Sequence, residues 1–451
     1  MRVVKNYIRV PLILCVTMIA FAVHGQDLGS SNKLFGGQKK PAAKTPKKTQ
    51  TKHASTTAKT RPAPKKQAIA HHPKRKPSTV TAAPVKIAPP VAIGPRDKGP
   101  ASPNGSRSRI APASKAADAL YEKLLAEGNT AFGGRNYMGA VDIYRRAAET
   151  KPRDARAETS IAIVYMDLER WGDAERALRA AIRSEPANFV PYAALSYVLS
   201  QPVAAADLSA RYAEAETMAR KAVQLKDTSA AAHDQLGSVL EILGLIDRDT
   251  ESQYRRAIQL SPSFAPAYAH LARLLRRLNR NTESRSADRD ALERATDPAA
   301  MLRVAGVMQS ELRFADSEPL VRLALGSDPR NVSGLLMLGR ALTATGKYGE
   351  AEACLKKSID VDPKGFVPRS LLGTLYLKQH MLESADSTLV QASQFAAGFE
   401  KRSLANQFEM LGDEFKKAGK YESGDRAYRK ALELDPSRQT IADKLHKNTG
   451  R

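Results

Sequence analysis

The chain has 451 residues, and 71 Lys and Arg against 47 Asp and Glu give it a formal net charge of +24 at pH 7. Its two cysteines exclude a disulfide-stapled small domain and a zinc site built from paired cysteines. The charge is uneven. Residues 1–25 hold three basic residues and no acid, and residues 26–115 hold 20 basic residues and two acids, so the remainder carries only +3.

Residues 1–25 have the pattern of an export signal. Three basic residues precede an apolar run from Val10 to Val23, and Val23 and Gly25 occupy the small-residue positions before a cleavage site. The run has 14 residues, which is too short to span a bilayer as a helix. We predict a cleaved secretory signal and an exported, periplasmic or secreted protein with no membrane span after cleavage. An uncleaved membrane anchor is the alternative.

Residues 26–115 differ in composition from the rest of the chain. They contain 13 of the 26 prolines, few large apolar residues and Phe35 as their only aromatic residue. Such a segment buries too little apolar surface to offset its ordering entropy, so we predict a disordered basic tether. It could bind an anionic envelope polymer or membrane surface, or serve only as a soluble spacer. Because stacking aromatics are missing, the composition argues against nucleic acid as a partner.

From residue 116 a pattern of small, large and proline residues recurs with a period close to 34. Gly128, Tyr144 and Pro152 stand at the same spacings as Ala162, Leu178 and Pro186, and the pattern recurs to Pro436. Alanine or glycine lets two helices approach closely, a larger residue fills the adjacent space, and proline follows the end of the second helix. The period therefore predicts a helix-turn-helix unit repeated about nine times.

These residues resemble the tetratricopeptide repeat, most closely at Gly339, Leu355 and Pro363 and at Gly373 and Leu389. The resemblance implies an all-α, right-handed superhelical solenoid of about nine repeats over residues 116–437. A capping helix and tail should follow over residues 438–451. We expect irregular geometry where extra residues follow Gln201, where Asp288 replaces an apolar residue, where Pro319 lies inside a helix, and between the eighth and ninth copies.

In the resembled family, the first helix of each repeat lines an inner groove. The resemblance implies a peptide groove that includes Asn129, Ile163, Tyr197, Arg273, Arg276, Arg277, Leu336, Arg340, Thr374 and Lys378. Spacings of three and four place Arg273, Arg276 and Arg277 on one helix face, where guanidinium groups can bind carboxylates. We expect an acidic or extended peptide to lie across repeats five to seven. A solvated basic helix face is the alternative.

The sequence contains no phosphate-binding glycine loop, paired-cysteine metal motif or nucleophile elbow. We therefore predict no catalytic residue, no metal and no cofactor. The predicted function is a non-catalytic protein-interaction scaffold of the cell envelope that binds partner peptides or helices in its groove. The alternative is an envelope or surface protein whose basic tether binds an anionic polymer or membrane surface, with the repeats as a spacer or assembly module.

Overall fold

Nineteen helices make up the regular structure of the residues that the computed structural model describes, which are 112–446 apart from residue 206. In chain order they are α1 (Pro112–Gly133), α2 (Tyr137–Thr150), α3 (Arg156–Asp167), α4 (Trp171–Ser184), α5 (Phe189–Leu199), α6 (Leu208–Leu225), α7 (Ala230–Ile242), α8 (Arg248–Leu260), α9 (Ala265–Arg277) and α10 (Asn281–Arg294). They continue as α11 (Pro298–Ser310), α12 (Phe314–Ser327), α13 (Val332–Ala344), α14 (Tyr348–Val361), α15 (Phe366–Lys378), α16 (Leu382–Ser393), α17 (Phe399–Lys417), α18 (Tyr421–Leu434) and α19 (Gln439–His446).

The helices from α1 to α18 form nine consecutive pairs, and each pair packs mainly against its neighbours in the chain. This arrangement confirms the predicted all-α, right-handed superhelical solenoid of helix-turn-helix repeats. No strand occurs within residues 112–446. The signal prediction for residues 1–25 and nearly all of the tether prediction for residues 26–115 lie outside the described residues.

The small residue of each pair sits where its two helices touch. A Cβ added to Gly339 of α13 would lie 2.7 Å from Cδ2 of Leu355 in α14, and one added to Gly237 of α7 would lie 2.7 Å from the Tyr254 ring in α8. Both Leu355 and Tyr254 are fully buried. The spacing of small and large residues in the sequence therefore records direct contact between the paired helices.

The turn inside a pair uses a left-handed residue in eight of the nine described pairs. Gly244, Gly346 and Gly419 occupy this position in pairs 4, 7 and 9. The other five pairs use Arg135, Glu169, Asn279, Leu312 and His380, with φ between 55° and 61°. A side chain is strained in this conformation, whereas glycine is not. The third pair is the exception, because residues 200–205 and 207, between α5 and the 18-residue α6, are irregular.

Two further irregularities lie where the sequence departs from its repeat. Pro319 lies inside α12, and the longer connection between the eighth and ninth pairs leads through Gly398, with φ 53°, into the 19-residue helix α17. α19 follows the ninth pair and buries Ile441 completely. The apolar face of the last pair is therefore partly covered by the chain itself.

The array also turns back on itself. The side chain of Tyr137, in pair 1, accepts a hydrogen bond at 3.3 Å from the backbone N–H of Val332, in pair 7. Gly172, in pair 2, faces the Phe399 ring at the start of pair 9. Helices far apart in sequence thus share one hydrophobic core.

Candidate binding groove and cross-turn seam

The family resemblance places the first helix of each pair on the inner side of the array. In pairs 2 to 8 most residues of this helix are buried, whereas α1 and α17 are more exposed. Every residue of α13 from Val332 to Leu342 is buried, and so is every residue of α7 from Ala231 to Glu241. The sequence predicts an open groove along these helices. The structure instead leaves little of this surface accessible.

Five of the predicted groove residues are buried. The side-chain oxygen of Asn129 accepts a hydrogen bond at 2.6 Å from the Tyr144 hydroxyl within the same pair. Tyr197 packs edge to face against Trp171, with ring centroids 6.0 Å apart. Ile163, Leu336 and Arg340 are also buried, at 5%, 0% and 9% exposure. In this conformation these residues contact other parts of the chain.

The arginines of α9 are not free to bind a partner in the way that their spacing suggests. Arg273 donates to Glu241 of α7 at 2.9 Å and to Ser310 of α11 at 3.1 Å. Arg277 donates to the same carboxylate at 3.0 Å. Each of these guanidinium groups therefore already bridges to a neighbouring pair within a network of internal ion pairs.

Arg276 belongs to the same network. It donates to Glu311 at the end of α11 and to Asp288 of α10, the latter at 2.5 Å. Asp288 also receives a hydrogen bond at 3.2 Å from Arg313. The acid that interrupts the apolar repeat in the sequence is therefore the partner of two arginines.

The accessible end of the predicted groove is in pair 8. Lys378, at the end of α15, is exposed, and within the described residues it makes no ion pair. Thr374, one helical turn earlier, is half-buried and accepts a hydrogen bond at 2.7 Å from Gln407 of α17. Arg277, at the end of α9 in pair 5, is another predicted groove residue that solvent can reach. Its side chain is 43% exposed despite its ion pair with Glu241.

The histidines of the described repeats have local partners or face solvent. His270 bonds to Asp234 at 2.8 Å and stacks on the Tyr254 ring. His233 bonds to the Gln253 side chain and to the Asp227 carbonyl. His380 is 80% exposed. Groups of three or more His, Cys, Asp or Glu placed to hold a metal ion are absent from residues 112–446.

Charged side chains connect the beginning of the array to its end. We call this contact the cross-turn seam. It is formed by Arg135, Tyr137, Asp167, Glu169 and Gly172 of pairs 1 and 2, together with Asp328, Val332, Arg340, Phe399 and Glu400 of the connection before pair 7 and of pairs 7 and 9. Arg340 donates to Glu169, and Arg135 donates to both Asp167 and Asp328. Arg135 and Asp328 thereby meet although they are 193 positions apart in the chain.

Burial dominates the electrostatics of the seam. The side chains of Asp167 and Glu169 are fully buried. Desolvation raises the pKa of both carboxyls, although Arg135 and Arg340 oppose the shift. The Tyr137 hydroxyl donates to Asp167 at 2.7 Å. These two acids are therefore held in an environment that disfavours their ionised form.

A third acid lies at the other end of the seam. Burial raises the pKa of Glu400 to about 7, opposed by a hydrogen bond from the backbone N–H of Ala397 and by Arg170 of pair 2. Asp173 of α4 adds to the rise, and Arg176 opposes it. The protonation of this carboxyl therefore depends on the proximity of pairs 2 and 9.

Of the seam residues, only Arg340 was predicted from the sequence, and it was predicted as a groove residue. Most of the others lie in turns or at helix ends, which the groove positions of the repeat do not include. The ion pairs of the α9 arginines, in contrast, could have been predicted from the sequence, because Glu241 and Glu311 lie about one repeat away from them.

Family models of the tetratricopeptide repeat match residues 125–188, 332–364 and 408–438. The chain therefore contains tetratricopeptide repeats. These matches fall on pairs 1 and 2, pair 7 and pair 9 of the helical array. Tetratricopeptide repeats generally mediate contacts between proteins.

One curated relative matches part of the chain. The chain is 32% identical over 144 residues to a probable UDP-N-acetylglucosamine–peptide N-acetylglucosaminyltransferase, SPINDLY, of Hordeum vulgare. The match covers 30% of this chain but spans only 14% of that relative's length.

The similar structures have low sequence identity. Human IFIT1, a dimer with PPP-AAAA, is 13% identical with a TM-score of 0.43 and coverage of 76% of this chain and 86% of that one. Yeast Tom70 is 15% identical with a TM-score of 0.41 and coverage of 77% and 70%. A thermophilic tetratricopeptide-repeat protein of Thermus thermophilus is 22% identical with a TM-score of 0.37 and coverage of 42% and 98%.

Outside the groove, a cleft of about 350 Å³ lies between pairs 6 and 7 of the tetratricopeptide array. Leu325, Leu335 and Leu338 line it, with Cys354 and Lys357 at its side. Burial raises the pKa of the Cys354 thiol. A search of the described helices for one long and apolar enough to cross a bilayer finds none.

Proposed function

We propose that this chain is a non-catalytic scaffold of the cell envelope that binds partner peptides or helices on the inner face of its repeats. The observation that carries the proposal is the uninterrupted array of nine helix pairs, because stacked pairs present one continuous surface to a ligand. The export pattern of residues 1–25 supports the envelope location, which was derived from the sequence alone.

Pair 8 is the proposed point of first contact. Thr374 and Lys378 lie one helical turn apart on α15, and Lys378 is exposed. The ammonium group of Lys378 can contact an acidic side chain of an extended peptide. The Thr374 hydroxyl donates to the Ser370 carbonyl and accepts from Gln407, so it keeps one lone pair for a backbone N–H of the peptide. The paired arginines of α9 would then position neighbouring helices rather than hold the peptide.

We do not assign the transfer reaction of the barley relative to this chain. The similarity lies over the repeats, and the match spans 14% of that protein. Helix pairs of this kind present a surface, whereas acid-base chemistry needs ionisable groups converging in a partly dry pocket. An enzyme assay with an N-acetylglucosamine donor is a direct check, and turnover by the full chain would overturn the assignment.

The proposed peptide site is tested by selecting a displayed peptide library on the full-length chain and measuring the affinity of the enriched peptides. The double variant Thr374→Ala, Lys378→Ala should weaken binding about tenfold or more, as expected for loss of a few polar contacts. The matched control is Lys356→Ala, Lys357→Ala, because these two exposed lysines belong to α14, a second helix. Equal affinity of both variants and the wild-type chain would overturn the placement.

A second candidate function follows from the composition of residues 26–115, whose excess of 18 positive charges could hold an anionic envelope polymer. Surface retention that disappears on deletion of these residues, and at high salt in the intact chain, would support it. Retention that survives both treatments would contradict it. Peptide capture by the repeats should be unchanged by the deletion.

A further inference from the structure

The cross-turn seam has an unusual composition for a permanent intramolecular contact. Glu169 and Arg340 are paired at 2.5 Å with side chains 0% and 8% exposed. Among the described residues, one oxygen of Glu169, one oxygen of Asp167 and two nitrogens of Arg340 are buried without a hydrogen-bond partner. Water would satisfy these atoms if the seam opened. The closed contact therefore carries a desolvation cost that opening would remove.

The turn residues of the seam are also unusual for a permanent intramolecular contact. Arg135 and Glu169 hold φ values of 61° and 55° at the position where pairs 4, 7 and 9 have glycine. Glycine would be more stable in the isolated turn. Each charged side chain accepts this backbone strain and contributes an ion pair to a distant repeat. Glu169 therefore strains its own turn in pair 2 and contributes to stability through its ion pair with Arg340 of pair 7.

Closure of the seam coincides with burial of predicted groove residues. Leu336 precedes Arg340 by one helical turn and lies on the same face of α13. Ile163 lies one and a half turns before the Glu169 turn. Tyr197 packs on Trp171, whose neighbour Gly172 faces Phe399 across the seam. Leu336, Ile163 and Tyr197, which lie nearest the seam, are thus among the inner-face residues that are buried in the closed array.

We propose that the cross-turn seam is a reversible intramolecular closure that covers the inner face of the first pairs and must open to admit a peptide or helix there. This inference rests on the proposed function, because it assigns the seam control over access to the same groove. The pairs themselves stay folded when the seam opens, since their stability comes from contacts with sequence neighbours.

The chain contains one tryptophan, and it reports on this closure. Trp171 is 4% exposed and stands beside the seam. Glu169→Gly in the full-length chain removes the carboxylate while supplying the residue that the turn prefers. We expect unchanged helicity by circular dichroism, a red-shifted tryptophan emission and about twofold or more stronger quenching by acrylamide. Amide exchange at Val332 should accelerate about tenfold or more.

Leu312→Gly is the matched control. Leu312 has the same left-handed backbone in pair 6, is 59% exposed and lies outside the seam. This variant should leave both the tryptophan signal and Val332 exchange unchanged. Arg340→Met provides a second opening variant that keeps the side-chain volume. If neither Glu169→Gly nor Arg340→Met changed either signal, the closure would be refuted, as it would be if Leu312→Gly produced the same change.

Peptide binding separates this inference from the proposed function. Peptides selected on Glu169→Gly should bind that variant about tenfold more tightly than the wild-type chain if closure limits access. Tryptophan exposure without any peptide binding would support the closure and overturn the groove function. Equal peptide affinity for both chains would overturn the control of access while leaving the groove function standing.

Discussion

Asp288 accepts a hydrogen bond from Arg276 at 2.5 Å, at the position of α10 where α14 carries the buried Leu355. Pair 5 thus replaces an apolar contact between its two helices by an ion pair. Arg313 of the next pair donates to the same carboxylate. Because its two arginine partners belong to pairs 5 and 6, Asp288 connects the two helices of pair 5 and also connects pair 5 to pair 6.

Asp288→Ala should destabilise the chain by about 1–3 kcal/mol, because it leaves two half-buried guanidinium groups short of a partner. Urea unfolding followed by circular dichroism measures the change. Asp316→Ala is the control, since Asp316 is 57% exposed and pairs only with Arg313. We expect less than about 1 kcal/mol for it. Equal losses for the two variants would contradict the bridging role of Asp288.

Gly339→Ala should destabilise pair 7 by about 1–3 kcal/mol, because the new methyl group would overlap the buried Leu355 side chain. Thermal unfolding provides the measurement. Gly349→Ala in α14 is the control, since an added Cβ there meets no atom within 4 Å. This second variant should be neutral or stabilising by up to about 1 kcal/mol. A stabilising Gly339→Ala would show that the helices can separate at little cost.

The seam should weaken as the pH rises from about 5 to about 8. Burial raises the pKa of Glu400 to about 7 from an ordinary value of 4.5, so the closed form binds the proton more tightly than an open, hydrated form does. The stability that protonation gives to closure is therefore lost as the pH passes from 4.5 through 7. The raised pKa values of Asp167 and Glu169 act in the same direction.

Acrylamide quenching of Trp171 across this pH range measures the effect and should increase toward pH 8. Arg170, Asp173 and Arg176 face Glu400 from pair 2, and their charges act on its carboxyl: the two arginines lower its pKa and Asp173 raises it. Glu400→Gln should make the profile flatter, because it removes the titrating carboxyl. A profile that is identical in this variant would show that another group controls the seam.

The Cys354 thiol should react with iodoacetamide at pH 7.5 more slowly than a cysteine in an unstructured peptide. Burial beside the cleft raises its pKa and so lowers the fraction of thiolate. A Cys15→Ser variant of the full chain makes Cys354 the only thiol, and mass spectrometry follows its alkylation. The rate should rise with pH and on addition of denaturant. A native rate equal to the peptide rate would contradict the burial of the thiol.

The helical pairs could be predicted from the sequence because their contacts are local. Gly339 and Leu355 are separated by 16 residues, and the same separation relates Gly373 to Leu389, which an added Cβ at Gly373 would also contact. Each repeat thus carries within itself the residues that pack its two helices. Spacing alone was sufficient to predict nine copies of this unit.

The accessibility of the groove could not be predicted in the same way. Contact between Glu169 and Arg340 depends on the rotation accumulated over four intervening pairs, and each irregular connection changes it. No residue pattern within a single repeat specifies this accumulated rotation. The arginines of α9 were found by their spacing, but their partners Glu241 and Glu311 lie on neighbouring pairs, so a single-helix pattern suggested a free basic face.

The contact of Tyr137 with Val332 gives the array a mechanical property. An open helical-pair solenoid extends like a spring when its two ends are pulled apart, because neighbouring units can tilt with little resistance. Here tension between the first and last pairs would load the bonds of Arg135, Glu169 and Arg340 before any unit tilts. The array should therefore resist small forces stiffly and lengthen only after these bonds break.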